Sequence, residues 1–332
     1  MGSVCSTPKV MTSVVDGDEN VVGAAESGKT TLLSQIRMLH KQPFSNSELI
    51  HRRAFIYANI LNSMKIIINY AEANNLKFSA ENQKKAKEVL YTIEECIGPF
   101  NEEEFQILNK LWKDPVIQEA YKRRGEYNLN DSTRYFFDNL ERINKSDFQP
   151  TSTDLIRAYC PTIGIQNIVF TAKNRSFQLF DIGGQKVDRR KWATMYDGLD
   201  AIFFCLAISE YDQKFEDDER ESRLMDSLNL LEQICEEPKF ESTPIFVFMN
   251  EADVLKEKLG KFPLKDYLPD YEGKNEKEAM DFLLRKVEEK CKYHDENLIS
   301  IQYTCLIDND EMEKILDNVF KQLLKMMRLR DE

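Results

Sequence analysis

The sequence has no apolar run long enough to cross a bilayer. Its longest uncharged apolar stretch, "AIFFCLAIS" at 201–209, has the length of a buried strand. It has no basic excess either: the formal net charge of −12 argues against nucleic acid as the main partner, which would require a basic face. None of the seven cysteines shows C-x-x-C or C-x-x-C-H spacing, and no secretory signal pattern is seen, so reduced thiols in a cytosolic protein are expected. The three histidines, His40, His51 and His294, lack metal-like spacing and are expected at the surface or as caps. The acidic run at 216–221 reads as a solvated loop and helix start, and nothing makes Trp192 catalytic. What is present is 332 residues, 42% of them hydrophobic, enough for one large domain or two ordinary ones.

Two textures alternate along the chain. From Ser45 to about Asn144, apolar residues such as Ile50, Ala54, Leu61 and Ile68 recur at helical steps behind the cap candidates Ser45 and Ser47. No β-rich run interrupts this stretch, which predicts an all-helical unit with its own core. After Pro150 the pattern changes. "IGIQNIVF" and "SFQLFDIGG", separated by "TAKNR", predict an antiparallel hairpin. "AIFFCLA", "PIFVFMN" and "LISIQYT" then read as buried parallel strands joined by helices. An all-helical domain inserted in an α/β domain follows, with junctions near 40–44 and 150–157.

"GAAESGKT" at 23–30 fits G-x-x-x-x-G-K-[ST] between strand-like Val21-Val22 and a periodic helical run. In such a loop backbone N–H groups hold phosphate oxygens, Lys29 reaches the β- and γ-phosphates, and Thr30 takes a Mg²⁺ position. A chance match in a turn is the competing reading. "FDIGGQKVDRRKW" at 180–192 ends a predicted strand with Asp181, which can hold a metal-bound water. Gly184 can donate to a γ-phosphate and Gln185 can orient an attacking water. Standing alone, this segment reads as a hairpin end and a solvated helix. "FMNEADVL" at 248–255 places Asn250 and Asp253 three apart, and Asp253 can accept from guanine where adenine offers nothing. "YTCLIDND" at 303–310 can add a backbone N–H to the base oxygen. At the N-terminus, "MGSVCS" presents Gly2 for myristoylation and Cys5 for palmitoylation, and two acyl chains anchor where one does not.

Taken in order, these segments resemble the α subunits of heterotrimeric G proteins from residue 21 onward. The likeness extends to "LNDSTRYFFDNLERI" at 129–143, "DLIRAYCPTIGI" at 154–165 and "SEYDQKFEDDERESRL" at 209–224. It implies a Ras-like P-loop GTPase fold, a mixed, mostly parallel sheet flanked by helices, at 21–43 and 154–332. An all-helical domain is inserted at 44–153, after a short acylated segment at 1–20. The ligands implied are GTP or GDP and Mg²⁺. Carried over by position, the nucleotide-binding residues are Gly23, Ala24, Ala25, Glu26, Ser27, Gly28, Lys29, Thr30, Thr31, Ser132, Ile156, Arg157, Thr162, Asp181, Gly184, Asn250, Glu251, Asp253 and Leu306. Thr30 and Thr162 would ligate Mg²⁺, Asp181 would do so through water, and Gln185 would be catalytic. Implied partners are a Gβγ dimer, a G-protein-coupled receptor at the C-terminal helix, effectors at the second and third switches, and the inner leaflet of the plasma membrane through acylation.

The chain departs from the family pattern at chosen places. Tyr159 stands where the family carries its catalytic arginine, three residues before Thr162, and Arg157 matches a different family arginine. A neutral phenol cannot neutralise charge on a transferring phosphoryl group. Ala25 replaces glycine and puts a methyl beside the γ-phosphate. Glu251 replaces a lysine beside the base, and Leu306 and Ile307 replace small residues, with Leu306 expected to crowd the base edge. About 20 residues precede the loop, so the long helix that contacts Gβγ is expected to be missing or reduced, and "DGDEN" at 16–20 should make a poor first strand. "KMMRLRDE" ends charged where relatives end apolar. Three functions compete: a guanine-nucleotide switch with impaired hydrolysis, a non-hydrolysing scaffold or sequestering protein, and an unrelated P-loop ATPase or kinase.

Overall fold

The computed structural model describes residues 17–23, 27–42, 44–127, 129–161, 165–182, 199–214 and 222–331. Its strands are β1 (Gly17–Gly23), β2 (Ile165–Ala172), β3 (Arg175–Ile182), β4 (Ala201–Ala207), β5 (Ile245–Asn250) and β6 (Ile299–Tyr303), in one sheet of order β2-β3-β1-β4-β5-β6. Every neighbouring pair is parallel except the β2–β3 hairpin. That hairpin turns through Lys173 and Asn174 at φ 49° and 64°, the two left-handed residues that a two-residue turn of this hand requires. The expectation of a poor first strand is corrected: residues 17–20 belong to β1, which pairs with β3 on one side and β4 on the other. Two apolar neighbours supply ladders that override the weak local propensity of Gly-Asp-Glu-Asn.

Parallel strands need cover on both faces, and alternation along each strand assigns it. Val22, Ile202, Phe204, Val247 and Met249 face one layer, with Leu228 and Leu231 of α9 (Arg223–Glu236) and Leu283 and Val287 of α12 (Glu276–Lys290). Phe203, Cys205, Phe246 and Phe248 face the other layer, with Leu32, Leu33 and Ile36 of α1 (Lys29–Leu39) and Val319, Phe320 and Leu323 of α13 (Asn309–Asp331). Fully burying each such side chain stabilises by about 1.5–3 kcal/mol, so α1 and α13 are fixed in place.

The remaining helices enclose a separate core. The long α2 (Asn46–Ala73) starts at a capping box in which Ser45 accepts from the Glu48 N–H and the Glu48 carboxylate accepts from the Ser45 N–H. Its stripe of Ile56, Ile60, Met64, Ile67 and Ala71 is wrapped by α3 (Ala80–Tyr91), α4 (Glu102–Trp112), α5 (Pro115–Lys122), α6 (Thr133–Asp138) and α7 (Leu140–Ile143). The chain returns to the sheet through α8 (Ser152–Arg157). Among the described residues, no helix is long and apolar enough to cross a membrane.

The histidine expectation holds for His51 and His40 and needs correcting for His294. His51 is exposed, but His294 is buried with Nε2 3.0 Å from the Thr243 carbonyl, and burial lowers its pKa. His40 is partly buried with its ring 4.7 Å from that of Phe170. His40 is the C-cap of α1, and the buried place of His294 is one that spacing along the chain does not report.

Candidate functional site

The sheet order places its switch point at β1, with β3 on one side and β4 on the other. In such sheets the crevice for a ligand lies beyond the carboxyl ends of the strands at that point. The sequence-selected residues meet there: Gly23 ends β1, Asp181 lies at the end of β3, Asn250 ends β5, and Leu306 follows β6.

Gly23 has φ 149°, and a Cβ on it would stand 2.3 Å from the backbone oxygen of Cys205. Gly28 has φ 100°, and its Cβ would meet Asn250 Nδ2 at 2.5 Å and Leu306 Cδ1 at 2.7 Å. Both positions demand glycine, which is why the motif carries one at each end. From Gly28 the chain enters α1, whose buried Leu32, Leu33 and Ile36 hold its N-terminus towards the crevice. Lys29 is 5% exposed. The Thr30 hydroxyl donates to Asp181 Oδ2 at 2.7 Å, and Asp181 is fully buried. Two oxygen donors 151 residues apart in sequence thus converge at the head of α1, a donor set that suits a hard cation such as Mg²⁺. Ala24, Ala25, Glu26, Thr162, Gly184, Gln185, Gly2 and Cys5 lie outside the described residues.

On the other side of the loop, Asn250 is a tie. Its Nδ2 donates to the Ser27 carbonyl at 3.3 Å, and its Oδ1 accepts from the Leu306 N–H at 3.1 Å. Gln35 Nε2 donates to the Leu306 carbonyl at 2.7 Å, so α1 fixes this loop as well. The Leu306 side chain, 2% exposed, is turned towards Gly28 and the core layer of α13. Asp253 is exposed and lines the cleft beside Cys305, whose thiol is pushed up to about 12 by burial and by Asp253. Glu251 takes a left-handed backbone, φ 65°, and accepts from the Ser209 hydroxyl at 2.5 Å. Its carboxyl is driven well above the ordinary range by loss of solvent, and then by Asp131 and Glu210.

The helical core supplies the opposite wall of a cleft of about 640 Å³, lined by Ser132, Arg157, Tyr159 and Thr31 as well as by the base-side residues. Asn59 of α2 holds the Tyr159 main chain, accepting from its N–H at 2.8 Å and donating to its carbonyl at 3.0 Å. The Arg157 guanidinium lies 4.8 Å from the centre of the Tyr135 ring. Behind them the buried Asp154 accepts from both Arg142 Nη atoms (2.9 and 2.7 Å), from Tyr135 Oη (2.8 Å), and from the Thr151 N–H and hydroxyl (2.7 and 2.8 Å). An Arg124–Glu257 ion pair ties the two walls.

Asn59, Asp131 and Ser209 were not among the residues selected from sequence. Asn59 carried one usable signal, a polar residue beside the apolar stripe of a long helix. Asp131 and Ser209 carried none, since only the fold brings their segments to Glu251.

This geometry agrees with comparison to known proteins. The family model for the G-protein alpha subunit matches residues 20–323. The chain is 47% identical over 309 residues to a guanine nucleotide-binding protein alpha-13 subunit of Caenorhabditis briggsae, spanning 93% of this chain and 88% of that one. It is 46% identical over 306 residues to the alpha-13 subunit of Caenorhabditis elegans, spanning 92% and 88%. With the G(o) subunit alpha of Locusta migratoria the identity is 36% over 303 residues, 90% of this chain and 85% of that one. The chain belongs to the G-protein α subunit family.

Proposed function

We propose that this chain binds GDP and GTP together with Mg²⁺ and works as the switching subunit of a heterotrimeric G protein, with slow GTP hydrolysis. The observation that carries the reading is the convergence of Thr30 and Asp181 at the head of α1, beside Lys29 and behind a left-handed Gly28. When bound, Mg²⁺ would supply positive charge against the phosphates. Thr30 would hold it directly and Asp181 through water, with Thr162 completing the set. Lys29 and the α1 N-terminus would hold the phosphates, and Asn250 and Asp253 the guanine. Ser132, Ile156 and Arg157 would close over the nucleotide from the helical side, and Gln185 would orient the attacking water.

Tyr159 is the reason for expecting slow chemistry. The arginine that Gα subunits supply in cis, the type case for this effect, is worth about 10³–10⁵ in rate. Tyr159 cannot provide that charge, and alanine in place of glycine at position 25 would crowd the attacking water. The domain boundaries proposed are 21–43 with 154–332 for the GTPase domain and 44–153 for the helical insertion. Gβγ, receptor and effector contacts, acylation at Gly2 and Cys5, and a place at the cytoplasmic face of the plasma membrane (or the cytoplasm without acylation) belong to the same proposal by family likeness.

Glu251 favours a second reading, a Gα-like scaffold that binds nucleotide poorly, because a carboxylate beside the base replaces a lysine stem. The test is the nucleotide content of freshly purified protein kept in Mg²⁺, released by denaturation and identified by chromatography. Bound GTP supports the slow switch. Bound GDP means that hydrolysis proceeds and the reading of Tyr159 is wrong. An empty site that GTP cannot fill moves the chain to the scaffold.

A further inference from the structure

We propose that Ser209 is a positioning residue for the nucleotide base: by holding the Glu251 carboxyl it fixes the joint between β5 and the helix that presents Asp253 to guanine. The inference deepens the nucleotide-binding reading above, on which it rests. It gives a buried serine outside the base loop a part in telling one base from another.

Ser209 is 1% exposed and sits in the 3₁₀ turn Ile208–Asp212 after β4. Buried ties hold that turn in place. Lys258 Nζ, from α10 (Ala252–Leu259), donates to the Ser209 carbonyl at 3.0 Å and to Asp212 Oδ1 at 2.9 Å. Arg223 pairs with Glu210 at 2.7 Å, and Tyr211 Oη donates to the Phe262 carbonyl at 2.7 Å. From this support the Ser209 hydroxyl donates to Glu251 Oε2 at 2.5 Å.

Glu251 is a one-residue joint between two anchored pieces. Before it, Asn250 is tied to Ser27 and Leu306. After it α10 begins, with Asp253 in its first turn, exposed and lining the cleft. The joint has φ 65° and ψ 35°, a left-handed backbone that a residue with a side chain keeps only where its surroundings hold it. Glu251 is the N-cap of α10 but makes no side-chain cap bond; its carboxyl goes to Ser209 instead. Just past the joint, the Ala252 N–H donates to the Thr304 carbonyl over a longer 3.3 Å. The Ser209 hydroxyl is thus the short tie that keeps residue 251 left-handed and, two residues on, sets where the Asp253 carboxylate stands. Hydrogen bonds weaken steeply with distance and angle, so a relaxed joint spoils a contact that must meet both the ring N–H and the exocyclic amine of guanine.

The experiment measures equilibrium dissociation constants of GDP and of inosine diphosphate for the full chain in Mg²⁺. Inosine lacks only the exocyclic amine, so the ratio of the two constants reports how well Asp253 reaches the base. The native protein should prefer GDP by about tenfold or more, the worth of one hydrogen bond to a charged group. Ser209→Ala should cut that preference several-fold, and Glu251→Ala, a change at the cleft rim, should cut it equally. The double variant should lose no more than either single one, because both remove the same tie. Ser209→Thr, which keeps the hydroxyl, should restore the preference. An unchanged ratio in both single variants, losses that add in the double variant, or a native protein that holds the two nucleotides equally overturns the inference and leaves nucleotide binding standing. A native protein that binds neither nucleotide overturns the nucleotide reading instead.

Discussion

Asn59 grips Tyr159 by its main chain alone, accepting from the N–H and donating to the carbonyl with one side-chain amide. That hold does not depend on which side chain stands at 159. Asn59→Ala should free both backbone groups and lower stability by about 1–2 kcal/mol. Denaturant unfolding measures this, and hydrogen exchange at the Tyr159 amide should speed up in parallel.

With the main chain held this way, the backbone at residue 159 should keep its place in Tyr159→Arg. Paired with Ala25→Gly, that substitution should raise single-turnover GTP hydrolysis by about 10³-fold or more. A flat rate in the double variant would show that the chemistry is limited elsewhere.

Thr30 and Asp181 should act as a unit. In the native protein, chelating Mg²⁺ with EDTA should accelerate nucleotide release. In Thr30→Ala the release should already be fast and nearly indifferent to chelator. Asp181→Asn should behave alike, since it replaces the negative carboxylate that meets Thr30 by a neutral amide.

Asp154 gives a prediction in pH. Burial works to raise its pKa, but the hydrogen bonds from Arg142, Thr151 and Tyr135 prevail and hold it below the ordinary value. Depressed in the folded state, it stabilises above the unfolded value of about 3.9, and that contribution fades as pH falls through the folded pKa. Glu48, held down to about 2 by Arg37, loses its contribution in the same direction. Asp154→Asn should cost about 3 kcal/mol at neutral pH and flatten the acid limb of the stability curve.

The sheet was legible in the sequence because each buried strand is a short apolar run, and the hairpin because two β-rich runs flank the stretch 171–175, of which the structure leaves only Lys173 and Asn174 for the turn. β1 was misjudged because its partners, not its residues, make it a strand. The phosphate loop could be read because its chemistry fixes glycines and Lys29 at set spacings. The surroundings of Glu251 could not, since Asp131 and Ser209 reach it from segments 120 and 42 residues away in the chain. The burial of His294 escaped for the same reason: its partner is a carbonyl 51 residues distant.

The close approach of Gly28 to Asn250 and Leu306 reaches beyond this one molecule. With distances of 2.5 and 2.7 Å to a Cβ that is not there, the three positions share one volume. A change at any of them alters what the others can accept, so substitutions there should be epistatic. Trimming Leu306 alone would leave Gly28 bound by its backbone angle, and enlarging Gly28 alone would collide with both neighbours. In a library randomised at 28, 250 and 306 together, functional survivors should appear as correlated triplets, their frequencies far from the product of the single-site frequencies.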